Sequence, residues 1–453
     1  MRFSLSILCV IFTIHLSAQS NNPDIVERLK NNGLESLHSY EMLKNLTSTV
    51  GNRLSGSENY EKAVRWGMQT LKDAGCDSVW LEPVMIPHWV RGKSEKAFVW
   101  NGKKKEALAV CALGGSIATP KNGIRAEVIE VHSLDEVKKL GVKAEGKIIF
   151  YNRPFDKTKF SPFEAYGGAV DQRSRGAIEA AKVGAIGVLA RSMTNALDNE
   201  PHTGMMQYKD SVTKIPAAAI STVGAEYVSG LLKTGKPVTV ELYLECQTLP
   251  DVQSSNVIGE IHGAELPHEI ILVGGHLDSW DKGVGAHDDG AGIVHSIEAL
   301  HLIKNLGIRP KRTIRAVLFA NEENGLRGAK AYAARVQNKN EKHLAAIESD
   351  AGGFAPLGFG VTSDSSKFEK IKTWSPLLEV VGADKIRREG GGADVGQLAP
   401  FTSALIGLNP EQQRYFDYHH SNNDTIDKVH PRELELGAIA ISILAWLISQ
   451  EGL

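Results

Sequence analysis

Apolar residues recur at helical spacing from about residue 24 to residue 74. In residues 61–71 (EKAVRWGMQTL) Val64, Met68 and Leu71 fall four and three apart, one face of a helix. Gly75 supplies a stop, and residues 78–81 (SVWL) read as a strand. From about Pro87 to Thr248 the texture changes to short β-rich runs at 126–131, 146–151, 186–190 and 238–242. A small helix at 176–182 precedes the third of these, and 215–220 (IPAAAI) leads into a helix through Leu232. This change of texture predicts a module inserted into the main domain. From Asn256 an alternating β/α pattern returns, which points to an α/β fold. Its strands are read at 257–261, 270–273, 314–320, 345–347 and 404–408. Its helices are read at 291–306, stopped by Gly307 and Pro310, at 326–336, and at 433–448 with Pro431 in the first turn. No repeats or low-complexity segments interrupt it.

Composition adds little to this picture. The 453 residues suit two or three domains, at roughly 100–200 residues each. Hydrophobic content of 42% and charged content of 23% are ordinary for a globular protein. A formal net charge of −2 and the lack of any basic block give no case for a nucleic-acid or acidic-lipid partner. The N-terminus stands apart. Met1-Arg2 is followed by an apolar run at 5–16 and by Ser17-Ala18-Gln19-Ser20, the pattern of a secretory signal cleaved near Ala18 or Ser20. A membrane anchor is the alternative, but the run is shorter than the ~20 residues of a spanning helix. No other segment is read as long and apolar enough to span. A secreted or periplasmic protein with no membrane attachment after cleavage is therefore expected. Beyond Cys9, the cysteines Cys76, Cys111 and Cys246 are widely spaced and odd in number, which is no disulfide framework. They read as small buried residues, with one disulfide open to them in an oxidising compartment. Asn45-Leu46-Thr47 and Asn423-Asp424-Thr425 are glycosylation sequons by pattern.

The chemistry lies in the last region. Glu322-Glu323 close the apolar run 316–320 (AVLFA). A strand sends neighbouring side chains to opposite faces, so one carboxylate is expected to bind metal and the other to face substrate. His276 follows the strand at 270–273 and Gly274-Gly275. Asp350 follows the strand at 345–347, and His419-His420 lie beyond the strand at 404–408. Strand ends gather along one edge of an open α/β sheet, where sites form, so these groups are expected to converge with Asp288. His276, Asp288, Glu323, Asp350 and His420 make a mixed imidazole and carboxylate set, which suits zinc better than magnesium or calcium. Five ligands are too many for one tetrahedral ion. They suit two metals ~3.5–4 Å apart sharing a carboxylate. Asp278 is placed to orient the His276 imidazole.

The ordered pattern His-x-Asp, Asp-Asp twelve positions on, Glu-Glu, Asp, then His-x-x-x-Asp-Thr resembles the co-catalytic zinc aminopeptidases and glutamate carboxypeptidases. GGHLDSWDKGVGAHDDGAG, ANEENGLRGAKAY, ESDAGG and YHHSNNDT carry the likeness. The short spacing from His276 to Asp288 separates the chain from aminoacylase-like hydrolases, whose bridging Asp lies much further on. GKIIFYNRP, GAIEAAKVGAIGVLARS and IPAAAIS resemble a protease-associated domain, and in one branch of the family the likeness extends to PHTG at 201–204. The resemblance implies the zinc exopeptidase fold, a mixed, mostly parallel sheet flanked by helices, with an inserted β-rich protease-associated domain. The implied division is a signal at 1–20, the start of the peptidase domain at 21–86, the insert at 87–249 and the catalytic part at 250–453. It also implies that His276 and Asp350 bind one zinc, Glu323 and His420 the other, and that Asp288 bridges them with a cis peptide bond to Asp289. Glu322 is the implied general base, taking a proton from water and returning it to the leaving amine, while two zinc ions polarise the scissile carbonyl. The residue before the last ligand is Tyr in several relatives. Here it is His419, either a donor to the oxyanion or a competitor of His420 for the metal.

Singly, each motif has a plain structural reading. Asp288-Asp289-Gly290 before a helix can be an N-cap and first-turn acid, the role expected of Asp289. His287 reads as pocket-lining or solvated, and His202 and His295 as structural. Trp280, the glycines at 390–392 and Tyr415 are candidates for pocket walls. The expected activity is exopeptidase hydrolysis of dipeptides or short peptides, with a broader aminopeptidase as the alternative. A non-catalytic ectodomain, the remaining alternative, would be expected to have lost ligands that are all kept here. The resemblance further implies a homodimer.

Overall fold

The computed structural model describes residues 22–453; the signal-like segment at 1–20 lies outside the described residues. Three helices come first, α1 (Asn22–Ser36), α2 (His38–Thr49) and α3 (Glu58–Asp73), followed by the long strand β1 (Ser78–Val90). Next come β2 (Glu95–Asn101), β3 (Lys104–Leu108), β4 (Val110–Ala112), β5 (Ile124–Val131), α4 (Leu134–Leu140) and β6 (Ile148–Tyr151). They are followed by α5 (Pro162–Ala169), α6 (Asp171–Ser174), α7 (Gly176–Lys182), β7 (Gly187–Arg191), β8 (Ala217–Ile220), α8 (Thr222–Leu232) and β9 (Thr239–Leu244). The C-terminal half holds β10 (Gln247–Ile261), β11 (Leu266–His276), α9 (Ala291–Asn305), β12 (Arg312–Phe319), α10 (Arg327–Lys339) and β13 (Lys342–Glu348). It ends with β14 (Pro356–Ser363), α11 (Ser365–Lys372), α12 (Ser375–Leu378), β15 (Lys385–Arg388), β16 (Ala404–Pro410), α13 (Tyr415–Tyr418) and α14 (Pro431–Glu451).

These strands form two eight-stranded sheets. The first has the order β1-β10-β12-β11-β13-β16-β14-β15 and the second β3-β2-β9-β5-β6-β7-β8-β4. In the first, β12, β11, β13 and β16 run parallel, β1 and β10 pair antiparallel to their neighbours, and β14 pairs antiparallel to β16 and parallel to β15. Parallel strands covered on both faces read as continuous apolar runs, and β12 is buried along nearly its whole length. The apolar face of α3 (Tyr60, Ala63, Val64, Gly67, Leu71) packs on β10 and β1. Ser57 caps its N-terminus by accepting the Tyr60 N–H. The mixed α/β architecture follows the sequence pattern. β1 and β10 form one antiparallel ribbon from Ser78↔Glu260 to Val90↔Gln247, and its far end carries the residues of the second sheet. That sheet has its own core, including Val99, Val128, Phe150, Leu189, Ile220 and Val240.

Some elements depart from the sequence reading. Gly274-Gly275, read as following a strand, lie inside β11 opposite Val317 and Leu318. A Cβ at Gly275 would sit 2.9 Å from the Gly292 backbone, so glycine here serves the close approach of α9 rather than a turn. α14 is long and apolar enough to cross a membrane, contrary to expectation, but 83% of its apolar window is buried and it packs on α9 and α1 as a core helix. Cys111 and Cys246 are buried, Cys76 is half-buried, and all three are free thiols.

Candidate metal centre

Five chain segments bring the candidate ligands to the C-terminal edge of the parallel strands, Asp288 coming from the turn just ahead of α9. β11 ends on His276, β13 is followed by Asp350, and His419-His420 follow α13. β12 ends at Phe319, and Asn321 then adopts a left-handed backbone (φ 65°) in a turn closed by the Leu326 N–H on the Asn321 carbonyl. Glu322 and Glu323 therefore sit in a turn and both line one cleft. This corrects the expectation that strand alternation separates them.

The five candidate ligands form two groups that share Asp288. His276 Nε2 lies 3.2 Å from Asp288 Oδ1 and 3.5 Å from Asp350 Oδ1. His420 Nε2 lies 3.2 Å from Asp288 Oδ2 and 3.1 Å from Glu323 Oε2. Ligand atoms about 2.0–2.2 Å from a tetrahedral zinc stand about 3.3–3.6 Å from one another, close to these four separations; the ligand atoms of His276, Asp288 and Asp350 all lie within 4.8 Å of one another, as do those of Asp288, His419 and His420. Asp288 Oδ2 is buried and has no hydrogen-bond partner despite the nearby imidazole, as expected of lone pairs converging on a cation. His419 Nε2 is 3.8 Å from the same oxygen, so His420 makes the closer approaches. The peptide bond between Asp288 and Asp289 is cis.

The electrostatics of the cluster reflect its buried, crowded acids. Burial raises Glu322 well above the usual carboxylate range, and Asp350 and Glu323 push it further. Burial and Asp288 push Glu323 up to about 7. Asp350 is raised, first by burial. Burial opposes charge on His420, yet Glu323 and Asp288 lift it to about 10. His276 is likewise held well above its ordinary value by Asp350 and Asp288 against burial. The site thus packs more carboxylate than its imidazoles neutralise, and a bound cation relieves that crowding.

The surrounding residues fix the ligands. The His276 Nδ1 partner is the backbone carbonyl of Asp278 at 3.0 Å; the Asp278 carboxylate, the expected partner, is 3.8 Å away. That carboxylate instead accepts the Ser55 hydroxyl at 2.9 Å and the Glu322 N–H at 3.0 Å, so it positions Glu322. Asp289 accepts the Gly292 and His276 N–H groups, serving as the helix cap expected of it and also fixing the His276 backbone. Asp424, the last acid of the His-x-x-x-Asp motif, accepts the N–H groups of Ala286, His287 and Asp288. The buried Arg53 guanidinium donates to the carbonyls of Leu277, Val284 and Gly285. Neither of these two supports was anticipated, although the fixed spacing to Asp424 was its signal.

The cleft over the cluster measures about 450 Å³ and draws on both sheets' segments. α5 and α6 contribute Phe163, Tyr166 and Arg173, and the C-terminal half contributes Tyr415, Phe416, His419 and the acids. Tyr415 is a wall as expected, and Gly391 and Gly392 line an adjoining hollow with Asp350. Trp280 is buried behind the site, its ring 5.8 Å from that of His420, and its backbone N–H donates to Glu323 Oε1. His287 is neither solvated nor on the wall. It stacks between Phe354 and Tyr418, and burial lowers it to about 4. His202 and His295 are buried and hydrogen-bonded, to the His419 carbonyl and Ser349 respectively. Arg173 was not anticipated. It is 6% exposed, donates to Tyr166 Oη and the Thr203 carbonyl, and its Nε has no partner. A larger groove of about 890 Å³ on the second sheet holds none of the candidate ligands.

The pattern of Peptidase family M28 matches residues 256–444. Carboxypeptidase Q of Homo sapiens and of Bos taurus are each 39% identical over 411 residues, covering 91% of this chain and 85% of theirs. A solved Peptidase M28 precursor from Shewanella amazonensis superposes with a TM-score of 0.91 at 36% identity, covering 95% of this chain and 97% of that one. A zinc aminopeptidase from Bacillus subtilis shares the fold at a TM-score of 0.66 and 19% identity, over 92% and 96% of the two chains.

Proposed function

The chain belongs to peptidase family M28 and is a zinc metallopeptidase, and from that premise we propose that it is a dizinc exopeptidase acting on dipeptides and other short peptides. The observation that carries the reading is the pair of three-residue groups sharing Asp288, His276/Asp288/Asp350 and His420/Asp288/Glu323. Zinc held there supplies Lewis acidity toward a peptide carbonyl and lowers the pKa of water. The other steps fall to the chain's own side chains. Glu322 lines the cleft beside both groups, and its N–H is pinned by Asp278. It takes a proton from the attacking water and returns it to the leaving amine. His419, stacked on His420 with ring centroids 3.5 Å apart, offers a ring N–H toward the developing oxyanion.

Arg173 supports the preference for short peptides. It is a buried guanidinium on the cleft wall with no carboxylate among its hydrogen-bond partners, suited to the α-carboxylate of a substrate one residue beyond the scissile bond. The inserted segment is assigned as a protease-associated domain on its GKIIFYNRP and IPAAAIS motifs, and secretion on the pattern of residues 1–20.

A panel of free, N-terminally blocked and C-terminally amidated dipeptides tests the reading, with and without chelator. Free dipeptides should turn over, chelation should abolish the activity and zinc should restore it. Activity that survives complete metal removal would overturn the mechanism. Equal turnover of N-blocked peptides would overturn the requirement for a free amine, and undiminished rates on long peptides would favour a broad aminopeptidase.

A further inference from the structure

The two imidazoles of the metal centre are held in different ways. A histidine binds metal through one ring nitrogen only if the other carries the proton, and the group facing that second nitrogen decides this. For His276 that group is the Asp278 carbonyl, from the same loop. For His420 it comes from the inserted segment: Nδ1 faces the Thr203 carbonyl at 3.4 Å. A carbonyl can only accept, so it selects the Nδ1–H form and leaves the Nε2 lone pair toward Asp288 and Glu323.

Residues 201–204 (PHTG) grip this pair at further points. The Thr203 N–H donates to the His420 carbonyl at 2.9 Å, and His202 Nδ1–H donates to the His419 carbonyl at 2.7 Å. The grip has a conformational task, because His420 is a non-glycine residue at φ 61°, a left-handed backbone that surrounding structure must enforce. The strip is itself anchored. Thr203 Oγ1 donates to the Ala112 carbonyl and accepts from Arg91, and Arg91 also binds Asp281 in the loop between His276 and Asp288. Gly204 sits at φ 130°, where a Cβ would collide with Arg173 and come within 2.8 Å of His420 Nδ1.

We propose that residues 202–204 of the inserted segment are positioning residues for His420, so that the segment sets the zinc affinity of the His420/Asp288/Glu323 half of the centre and leaves the His276 half alone. The inference rests on the dizinc reading. The test is zinc titration of the full chain against a competing chelator, with melting curves as the check on folding. Wild type should bind two equivalents. Gly204→Ala and His202→Leu should each weaken one equivalent by about 10–100-fold and leave the other unchanged. His202→Asn, which keeps a donor for the His419 carbonyl, should restore it. If Gly204→Ala does not fold, His202→Leu carries the test. Two equivalents held with wild-type affinity by the variants would overturn the proposal, as would equal weakening of both equivalents together with a lowered melting point. If wild type binds a single equivalent, the dizinc reading itself fails and the proposal falls with it.

Discussion

Glu322 and Glu323 are neighbours in the chain with different surroundings. Glu323 is tied on both oxygens, one accepting the Trp280 backbone N–H at 3.1 Å and the other facing His420. Glu322 is fixed through its backbone, while its carboxylate lines the cleft. Glu322→Gln should therefore keep its zinc and lose at least ~100-fold in kcat, whereas Glu323→Gln should lose zinc. Metal content and single-turnover rates on the two variants decide this, and loss of a zinc from Glu322→Gln would mean the roles are exchanged. The convergence of the candidate ligands was legible because His276, Glu323 and Asp350 come at or just after the ends of β11, β12 and β13, with Asp288 ahead of α9 and His420 after α13. The role of Asp278 was not. His-x-Asp does not say whether a carboxylate or a backbone carbonyl meets the imidazole, and only the bend after β11 chooses the carbonyl. Arg173, within DQRSRG, reads locally as an ordinary surface charge; its lack of an acidic partner is a tertiary fact.

Helices and strands were legible where periodicity was strong. The small helix at 176–182 lies where its pattern placed it, and α9 and α14 are close to theirs. The β2–β3 hairpin was missed because its strands are short and intersperse Glu95, Lys96, Lys104, Lys105 and Glu106 among apolar residues, although its Asn101-Gly102 turn is a local hairpin signal. Packing between helices also creates chemistry that no single helix shows. Where α2, α9 and α14 meet, His38 and His301 both bond the buried Glu298, and Ser39 bonds Glu435 through its N–H and hydroxyl. Burial, then Glu298, raises Glu435 to about 7. The Glu298 hydrogen bond raises His38. Glu298 itself is lowered, its bonds to His301 and His38 outweighing burial. Between about pH 4.5 and 7 the folded chain keeps a proton on Glu435 that the unfolded chain has released, so stability falls as pH rises through that window. His38 acts in the same direction, its contribution present below its unfolded value and lost above its raised one, whereas the Glu298 contribution is present throughout the window and is lost only as pH falls below it. Glu435→Gln keeps the acceptor for Ser39 and removes the titration. It should flatten the pH dependence of the melting midpoint by an amount worth up to ~3 kcal/mol across the window. An unchanged slope would show that Glu435 is not the responsible group.

At the scale of the whole molecule, the site belongs to neither sheet alone. The ligands rise from the edge of the first sheet, and Phe163, Tyr166 and Arg173 face them from the segment carried between β1 and β10. On the proposed reading, a site divided in this way places substrate selection on the segment between β1 and β10 and cleavage on the metal centre. Arg173 is its one cation on the cleft wall, held by Tyr166 Oη at 2.7 Å, and Phe163 and Tyr166 stack on Tyr415 and Phe416 across the gap. A substrate whose carboxylate reaches Arg173 gains a charge-assisted hydrogen bond in a desolvated site, typically ~1.5–3 kcal/mol. Arg173→Met preserves length and apolar stem while removing the charge. It should lower kcat/KM for free dipeptides by roughly 10–100-fold, mainly through KM, on the same energy scale. C-terminally amidated dipeptides separate recognition from damage, since they have no carboxylate to lose. Their turnover should be nearly equal in wild type and variant, so the preference for a free carboxylate should collapse. A parallel loss on amidated substrates would instead assign Arg173 to holding the Thr203 carbonyl, and substrate length would then have to be read elsewhere in the cleft.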